Sequence, residues 1–272
     1  MTTLLIILES LILLLILYVL ALRCRCGHKQ LSFLRGWGYA HRGLHGNGVP
    51  ENSMEAFRLA LDGGYGIELD VHLMADGQLA VIHDASLKRT AGIDVQIEDL
   101  TGETLSQYRL EGTDEPIPLF GEVLELFDGK APMIVELKAE RGNHAALAKA
   151  VCDLLENYKG DFCIESFDPR VLWWLRKNRP DICRGQLAEN FFRASEVELK
   201  WYLKFILGNQ LGNFLTVPDF TAYCFAHRKT LGVWLARKIW GAQGVAWTIT
   251  NQEDYDKALE EGWIPIFEGF RP

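Results

Sequence analysis

The sequence predicts a closed (β/α)8 TIM barrel preceded by one N-terminal transmembrane helix. Three observations predict it. Short β-rich runs alternate with amphipathic stretches from about Trp37 onward, about 240 of the 272 residues lie beyond the apolar N-terminus, and Leu4 to Leu22 is almost wholly aliphatic. Repeated βα units imply a parallel sheet, and about 250 residues is the usual size of the closed barrel.

The apolar run comes first in the chain. It is interrupted only by Glu9 and Ser10, and about 20 apolar residues suffice for a helix to cross a bilayer. A cleaved signal peptide would carry a basic n-region and a small-x-small site, whereas only Met1-Thr2-Thr3 precedes the run and Leu20-Ala21-Leu22 ends it. A retained anchor is therefore expected. Arg23, Arg25, Lys29 and Arg35 follow the span and no basic residue precedes it, so the positive-inside rule places the large C-terminal portion in the cytoplasm of a single-pass membrane protein. Residues 1–30 are read as anchor and basic juxtamembrane segment, and residues 31–272 as the barrel.

Candidate strands are Trp37–Ala40, Ile67–His72, Leu79–His83, Met133–Leu137, Phe162–Glu165, Ile182–Leu187, Phe214–Val217, Val245–Ile249 and Ile264–Phe267. That is one too many for the barrel. Between them, Met54, Phe57 and Leu61 recur at helical spacing behind Asn52, which with Glu55 resembles a capping box, and Gly63-Gly64 ends that helix. Further helices are expected over Ala145–Tyr158, Pro169–Lys177, Ser195–Leu207 and Gln252–Glu261. The stretch 85–131, with a helix at Phe120–Phe127, is too long for one βα connection and reads as an excursion from the barrel.

The net charge of −8 argues against a phosphate-tracking nucleic-acid binder, which presents a basic face. Six cysteines are scattered, and only Cys24 and Cys26 are close. Neither zinc-ligand spacing nor a disulfide framework results, and reduced thiols fit a reducing compartment.

The chemistry lies at strand ends. Alternate residues of a strand share a face, so Glu68 points with Asp70, and Glu136 with Lys138. Ionised groups on an inward face are costly unless paired or bound to metal. Three carboxylates converging with one lysine leave negative charge over, which a hard divalent cation, Mg²⁺ or Ca²⁺, resolves; the alternative is an internal salt-bridge cluster around Lys138. His41 and His83 each stand where a strand becomes a loop, the C-terminal rim where barrel enzymes build their sites. Two histidines across a phosphodiester suit general base and general acid. Arg42 supplies a planar fork for phosphate oxygens, and Gly43 lets the backbone turn closely beside it. His45, His72, His144 and His227 lack comparable context and are read as structural or surface residues.

In this order the segments "AHRGLHGNGVPENSMEAFRLALDGGYGIELDVHLMADGQLAVIHDASLKRTAG", "IPLFGEVLELF" and "MIVELKAE", with weaker echoes at "CIESFDP" and "VAWTITN", resemble the glycerophosphodiester phosphodiesterase family. The resemblance implies a TIM barrel with an insertion after the third strand, over about residues 85–131. It implies catalytic roles for His41 and His83, metal ligation by Glu68, Asp70 and Glu136, phosphate contacts from Arg42 and Lys138, a substrate-side Trp247, and a supporting or metal-contacting Glu51. The sequence departs from the family at "WIPIFEGFRP", where Glu268 stands near an expected Asp, and at Thr250, which precedes Asn251; both bear on the substrate-side rim.

The expected reaction is metal-dependent hydrolysis of a glycerophosphodiester to glycerol 3-phosphate, or a related phosphomonoester, and an alcohol. One histidine deprotonates water or a neighbouring substrate hydroxyl and the other protonates the leaving alcohol. A lysophospholipase D acting on membrane lysophospholipids is the nearest alternative, favoured by the anchor. An inactive membrane-tethered binding module is the alternative of another class, and it should have lost a histidine or a ligand carboxylate; none is missing.

Overall fold

Eight parallel strands close into a barrel in the computed structural model, which describes residues 2–194 and 198–272. In chain order the strands are β1 (Tyr39–His41), β2 (Gly66–Leu73), β3 (Leu79–Val81), β4 (Met133–Leu137), β5 (Phe162–Ser166), β6 (Arg184–Ala188), β7 (Phe220–Cys224), β8 (Gln243–Ile249) and β9 (Trp263–Phe267). β1 pairs with both β2 and β9, which closes the ring, and every barrel pairing is parallel.

β3 is the strand in excess. It lies outside the barrel, antiparallel to the C-terminal half of β2, with Val71 opposite Val81 and Leu73 opposite Leu79. This hairpin arm rises above the rim and returns to it, so His83 reaches the site from the arm rather than from the end of a barrel strand.

Strand alternation sorts the core into an outer and an inner part. Outward residues Ile67, Leu69, Val71, Met133, Val135, Leu137 and Ile164 pack against the surrounding helices. Inward residues Tyr39, Ile134, Cys163, Cys183, Phe220, Val245, Ile264 and Ile266 fill the lower barrel. Leu31 and Leu34 of helix Gln30–Leu34 close that lower end, each contributing about 1.5–3 kcal/mol by leaving water. Ile134 and Cys163 sit two residues before Glu136 and Glu165 on the same face, so the lower interior is apolar and the upper interior charged.

The excursion after β3 has a small core of its own, with Met74, Ile82, Leu87, Ile97, Leu105, Leu110 and Ile117 packed on the hairpin arm. Its helix Phe120–Phe127 turns Phe120, Val123 and Phe127 into the main core.

Two local expectations are corrected. Phe214–Val217 is not a strand: Asn213–Thr216 is a short helix and the strand is Phe220–Cys224. A four-residue apolar run carries no periodicity that separates the two. Ser53, not Asn52, caps helix Met54–Asp62, its hydroxyl accepting from the Ala56 amide at 3.1 Å, while Asn52 is turned into the site. The helix expected over Ser195–Leu207 is present at Trp201–Gly208; residues 195–197 lie outside the described residues. Helix Leu231–Lys238 was not anticipated.

The N-terminal helix Thr2–Ala21 is long and apolar enough to cross a membrane, and its stretch Thr3–Ala21 is not buried by the rest of the chain. Its lower end is docked. Leu22 and Cys24 are buried, and Arg25 donates to both carboxylate oxygens of buried Asp219 and to the carbonyl of Pro180. The segment that follows the helix is thereby folded onto the bottom of the barrel. The described cysteines are all free.

Candidate active site

Register sets the site before any side chain is considered. His41 on β1 is level with Glu68 on β2, Asp70 is level with Glu136 on β4, and Glu136 is level with Glu165 on β5. Since these positions share inward parity, four carboxylates converge at the top of the barrel interior. Glu68, Asp70 and Glu165 are at most 2 % exposed and Glu136 is 7 % exposed.

Two cations meet them. The Lys138 ammonium lies 3.0 Å from Asp70 Oδ1 and 2.8 Å from Glu136 Oε1. Arg42 places Nε 3.4 Å from Asp70 Oδ2, donates Nη1 to Glu51 at 3.0 Å, and gives its backbone amide to Glu68 Oε2 at 3.2 Å. Asn52 donates to Asp70 Oδ2 at 2.9 Å. Burial alone would raise the Asp70 carboxyl, but Lys138, His83 and Arg42 hold it well below the usual range. Burial, then the neighbouring carboxylates Asp70, Glu136 and Glu165, push Glu68 well up. Burial likewise raises Glu136 and Glu165.

This arrangement fits a divalent cation. Ligand oxygens of Glu68, Asp70 and Glu136 all lie within 4.8 Å of one another, and Glu165 Oε2 is buried without a hydrogen-bond donor. Two cationic side chains against four carboxylates leave negative charge over, and an all-oxygen donor set is that of a hard metal.

The histidines face each other across this cluster, each with a carboxylate behind it. His41 gives Nδ1 to Glu268, leaving Nε2 3.8 Å from Glu68 Oε2. His83 gives Nδ1 to Asp84 at 2.6 Å. A carboxylate on Nδ1 fixes the tautomer and leaves Nε2 for the reacting proton. Burial, helped by the Arg42 charge, lowers the His41 pKa, while Glu268 opposes the change. The same hydrogen bond holds the Glu268 carboxyl down at about 2.

The turn after β1 that delivers His41 and Arg42 demands its glycine. Gly43 has φ +79°, and a Cβ there would lie 2.8 Å from the Ala56 Cβ and 2.9 Å from Phe57. The cavity between the histidines is about 120 Å³, and Trp247 and Phe167 line its far wall. Trp247 stacks edge-on against Phe167 and its Nε1 is buried without an acceptor. A larger cleft of about 630 Å³ lies beside the hairpin arm, between Gln78, Leu119 and Leu154, remote from these groups.

The sequence model of the Glycerophosphoryl diester phosphodiesterase family matches residues 41–268, from His41 to Glu268. The chain belongs to this family. A glycerophosphodiester phosphodiesterase from Bacillus altitudinis is 35% identical over 173 residues, 60% of this chain and 70% of that one. A lysophospholipase D from Rattus norvegicus is 37% identical over 133 residues, 44% of this chain and 41% of that one. Among solved structures, an Oleispira antarctica phosphodiesterase in complex with the product sn-glycerol-3-phosphate superposes with a TM-score of 0.72 at 23% identity, over 89% of this chain and 96% of that one. The fold is the TIM barrel expected, and the enzyme class is that of the glycerophosphodiester phosphodiesterases.

Within this family member, the structure brings His41, Arg42, Glu68, His83, Glu136, Lys138 and Trp247 around one cavity, with Asp70 beneath it. Glu51 stands outside the carboxylate cluster, accepting from Arg42 and from Arg89, which also binds Asp84. Four participants were missed. Glu165 shares the parity that exposed Glu136, and its charge at the end of an apolar run was the available signal. Glu268 was noted only as a departure. His72 and His45 were set aside, yet buried His72 accepts or donates at Glu98 and meets the His83 carbonyl at 3.2 Å, and His45 lies 3.7 Å from Glu268. His72 points inward like Glu68 and Asp70, two residues further along β2, which is where the signal lay.

Proposed function

We propose that the chain is a divalent-cation-dependent phosphodiesterase that converts glycerophosphodiesters to glycerol 3-phosphate, or a related phosphomonoester, and an alcohol. The observation that carries this reading is the pair of imidazoles, each backed by a carboxylate on Nδ1, facing each other over a buried carboxylate cluster.

Glu68, Asp70 and Glu136 would hold Mg²⁺ or Ca²⁺, which when bound withdraws charge from phosphoryl oxygens and lowers the pKa of a coordinated hydroxyl. His41 and His83 move the protons: one takes the proton of the attacking hydroxyl on its Nε2, and the other protonates the departing alcohol. Lys138 spends two of its three N–H donors on Asp70 and Glu136, which leaves one for a phosphoryl oxygen. Arg42 flanks the same cavity and supplies fixed positive charge to the developing phosphoryl anion. The orphan Trp247 Nε1 suits a substrate oxygen, and Phe167 packed against Trp247 gives that wall of the cavity an apolar surface.

The same reading treats Thr2–Ala21 as a single membrane span, with the barrel on the cytoplasmic side because Arg23, Arg25, Lys29 and Arg35 follow it. That span favours a second substrate, a lysophospholipid cleaved in lysophospholipase D fashion, and the rat relative supports it. The test is release of choline from glycerophosphocholine and from lysophosphatidylcholine by the full-length chain, after EDTA and after each divalent ion is added back. Turnover that depends on Mg²⁺ or Ca²⁺ supports the reading; equal turnover in EDTA, or none on either substrate with metal, removes it.

A further inference from the structure

The aromatic wall of the cavity continues outward. Trp247 packs on Phe167 with ring centroids 5.6 Å apart, and Phe167 packs on Phe191 at 6.2 Å. Phe191 is buried, but the next residue, Phe192, is 59% exposed. Helix Trp201–Gly208 then has no buried residue at all; Trp201 is 74% and Phe205 48% exposed, and Tyr202 and Ile206 are exposed beside them. The helix belongs to this wall, since a Cβ at Gly208 would lie 3.6 Å from the Phe191 ring. Aromatic side chains gathered this way mark an interaction surface rather than ordinary scatter.

What covers them is indicated by the N-terminal helix, which meets the same place. Tyr18 donates its hydroxyl to Asn209, directly after Gly208, at 3.5 Å, and Trp240 donates Nε1 to the Val19 carbonyl at 2.7 Å. Trp240 lies beyond the lower end of helix Leu231–Lys238, whereas Gly232, whose Cβ would be 3.1 Å from the Tyr18 hydroxyl, lies at its upper end, after β7. Helical side chains lean toward the N-terminus, so the N-terminal helix leaves the barrel toward the catalytic rim. A Tyr near the end of an apolar helix is a residue of the membrane–water interface.

We infer that the face formed by Phe192, Trp201 and Phe205 is seated in the lipid surface beside the span, so that the catalytic cavity opens at the bilayer. A monoacylated glycerophospholipid then enters from the membrane, its phosphodiester between His41 and His83 and its acyl chain along Phe167 and Phe191. This rests on the proposed span and phosphodiesterase site, and it adds the direction from which substrate arrives.

The experiment uses the full-length chain in phosphatidylcholine vesicles in which part of the lipid carries brominated acyl chains. Flotation tests the span by itself: a chain that stays in solution refutes the span, and the inference falls with it. In floating protein, a share of tryptophan emission should be quenched by the bromolipid and lost in Trp201→Phe. Equal quenching in wild type and this variant overturns the inference, as does a crosslinked dimer through an unquenched Trp201, which would assign the face to a second copy. The Trp201→Ser, Phe205→Ser double variant should hydrolyse vesicle-borne lysophosphatidylcholine about tenfold more slowly, through loss of interfacial apolar contact, with soluble glycerophosphocholine turnover unchanged. An equal loss on both substrates contradicts it. Absence of turnover on both in the wild type refutes the phosphodiesterase reading and leaves the quenching result to decide the face.

Discussion

Glu268, just beyond β9, accepts a hydrogen bond from Nδ1 of His41 at the end of β1, 227 positions away in the chain. Closure of the barrel between β1 and β9 makes this contact, and it has consequences for rate and for pH dependence. Glu268→Gln keeps the shape but removes the charge that orients the imidazole, so kcat should fall about 10- to 100-fold, the usual cost of losing a supporting partner. The Glu268 carboxylate raises the His41 pKa against burial and Arg42, so its neutralisation lowers that pKa further. The limb of the pH–rate profile set by His41 should then move to lower pH. Movement of the acid limb makes His41 the general base, and movement of the alkaline limb makes it the general acid. A profile displaced upward would contradict the assignment.

Stability should depend on pH through the carboxylate cluster. Burial, and then neighbouring acids, raise the Glu68 and Glu165 pKa values, and burial raises Glu136 against the pull of Lys138. An acid raised on folding stabilises fully below its unfolded pKa, and that contribution is lost as pH rises through the folded value. Asp70 is held low and acts in the opposite sense, stabilising above the ordinary carboxylate range and losing that contribution as pH falls. In EDTA, Tm should therefore decline as pH rises from about 5 to about 8. Mg²⁺ or Ca²⁺ at about 100 times Kd should add about 2.7 kcal/mol and flatten the slope. Thermal melts across pH check this, and a profile unaffected by metal would contradict it.

Gly43→Ala should destabilise the chain by about 1–3 kcal/mol, because its Cβ would meet Ala56 at 2.8 Å in a backbone with φ +79°. Relief requires helix Met54–Asp62 to move away from the turn that carries His41 and Arg42, so activity should fall along with the denaturation midpoint. A variant as stable as wild type would show that the turn is looser than described.

Asp219→Ala should loosen the foot of the N-terminal helix. Asp219 is fully buried and accepts from Arg25 Nε at 2.5 Å, Arg25 Nη2 at 2.8 Å and the Arg184 amide at 2.9 Å. Loss of hydrogen bonds to a charged group costs about 1.5–3 kcal/mol each when buried, and Arg25 is partly exposed, so the low end applies. Proteolysis between residues 22 and 35 should accelerate in the variant, and an unchanged cleavage rate would show the segment to be held elsewhere.

Much of the site was legible because β2 writes it plainly. Glu68 and Asp70 alternate with Ile67, Leu69 and Val71, and that pattern assigns both strand and inward charge. Phe214–Val217 was misread because four apolar residues carry no period, and tertiary packing, not local sequence, decided for a helix. His83 was placed correctly at the rim but for the wrong reason, since sequence does not distinguish a barrel strand from a hairpin arm. Glu268 was seen as a departure from a family pattern, yet its hydrogen bond to His41 exists only once the first and last strands meet. His72 was dismissed because a histidine inside a β run looks like packing, and its link to the His83 carbonyl depends on how the arm folds back.

The most direct test of the account is turnover of glycerophosphocholine by His41→Ala and by His83→Ala, with metal in excess and folding verified by thermal melts. Each substitution should lower kcat by about 10²–10⁴, with the metal-dependent stabilisation retained because Glu68, Asp70 and Glu136 remain. Near-wild-type turnover in either variant would contradict the paired acid–base mechanism.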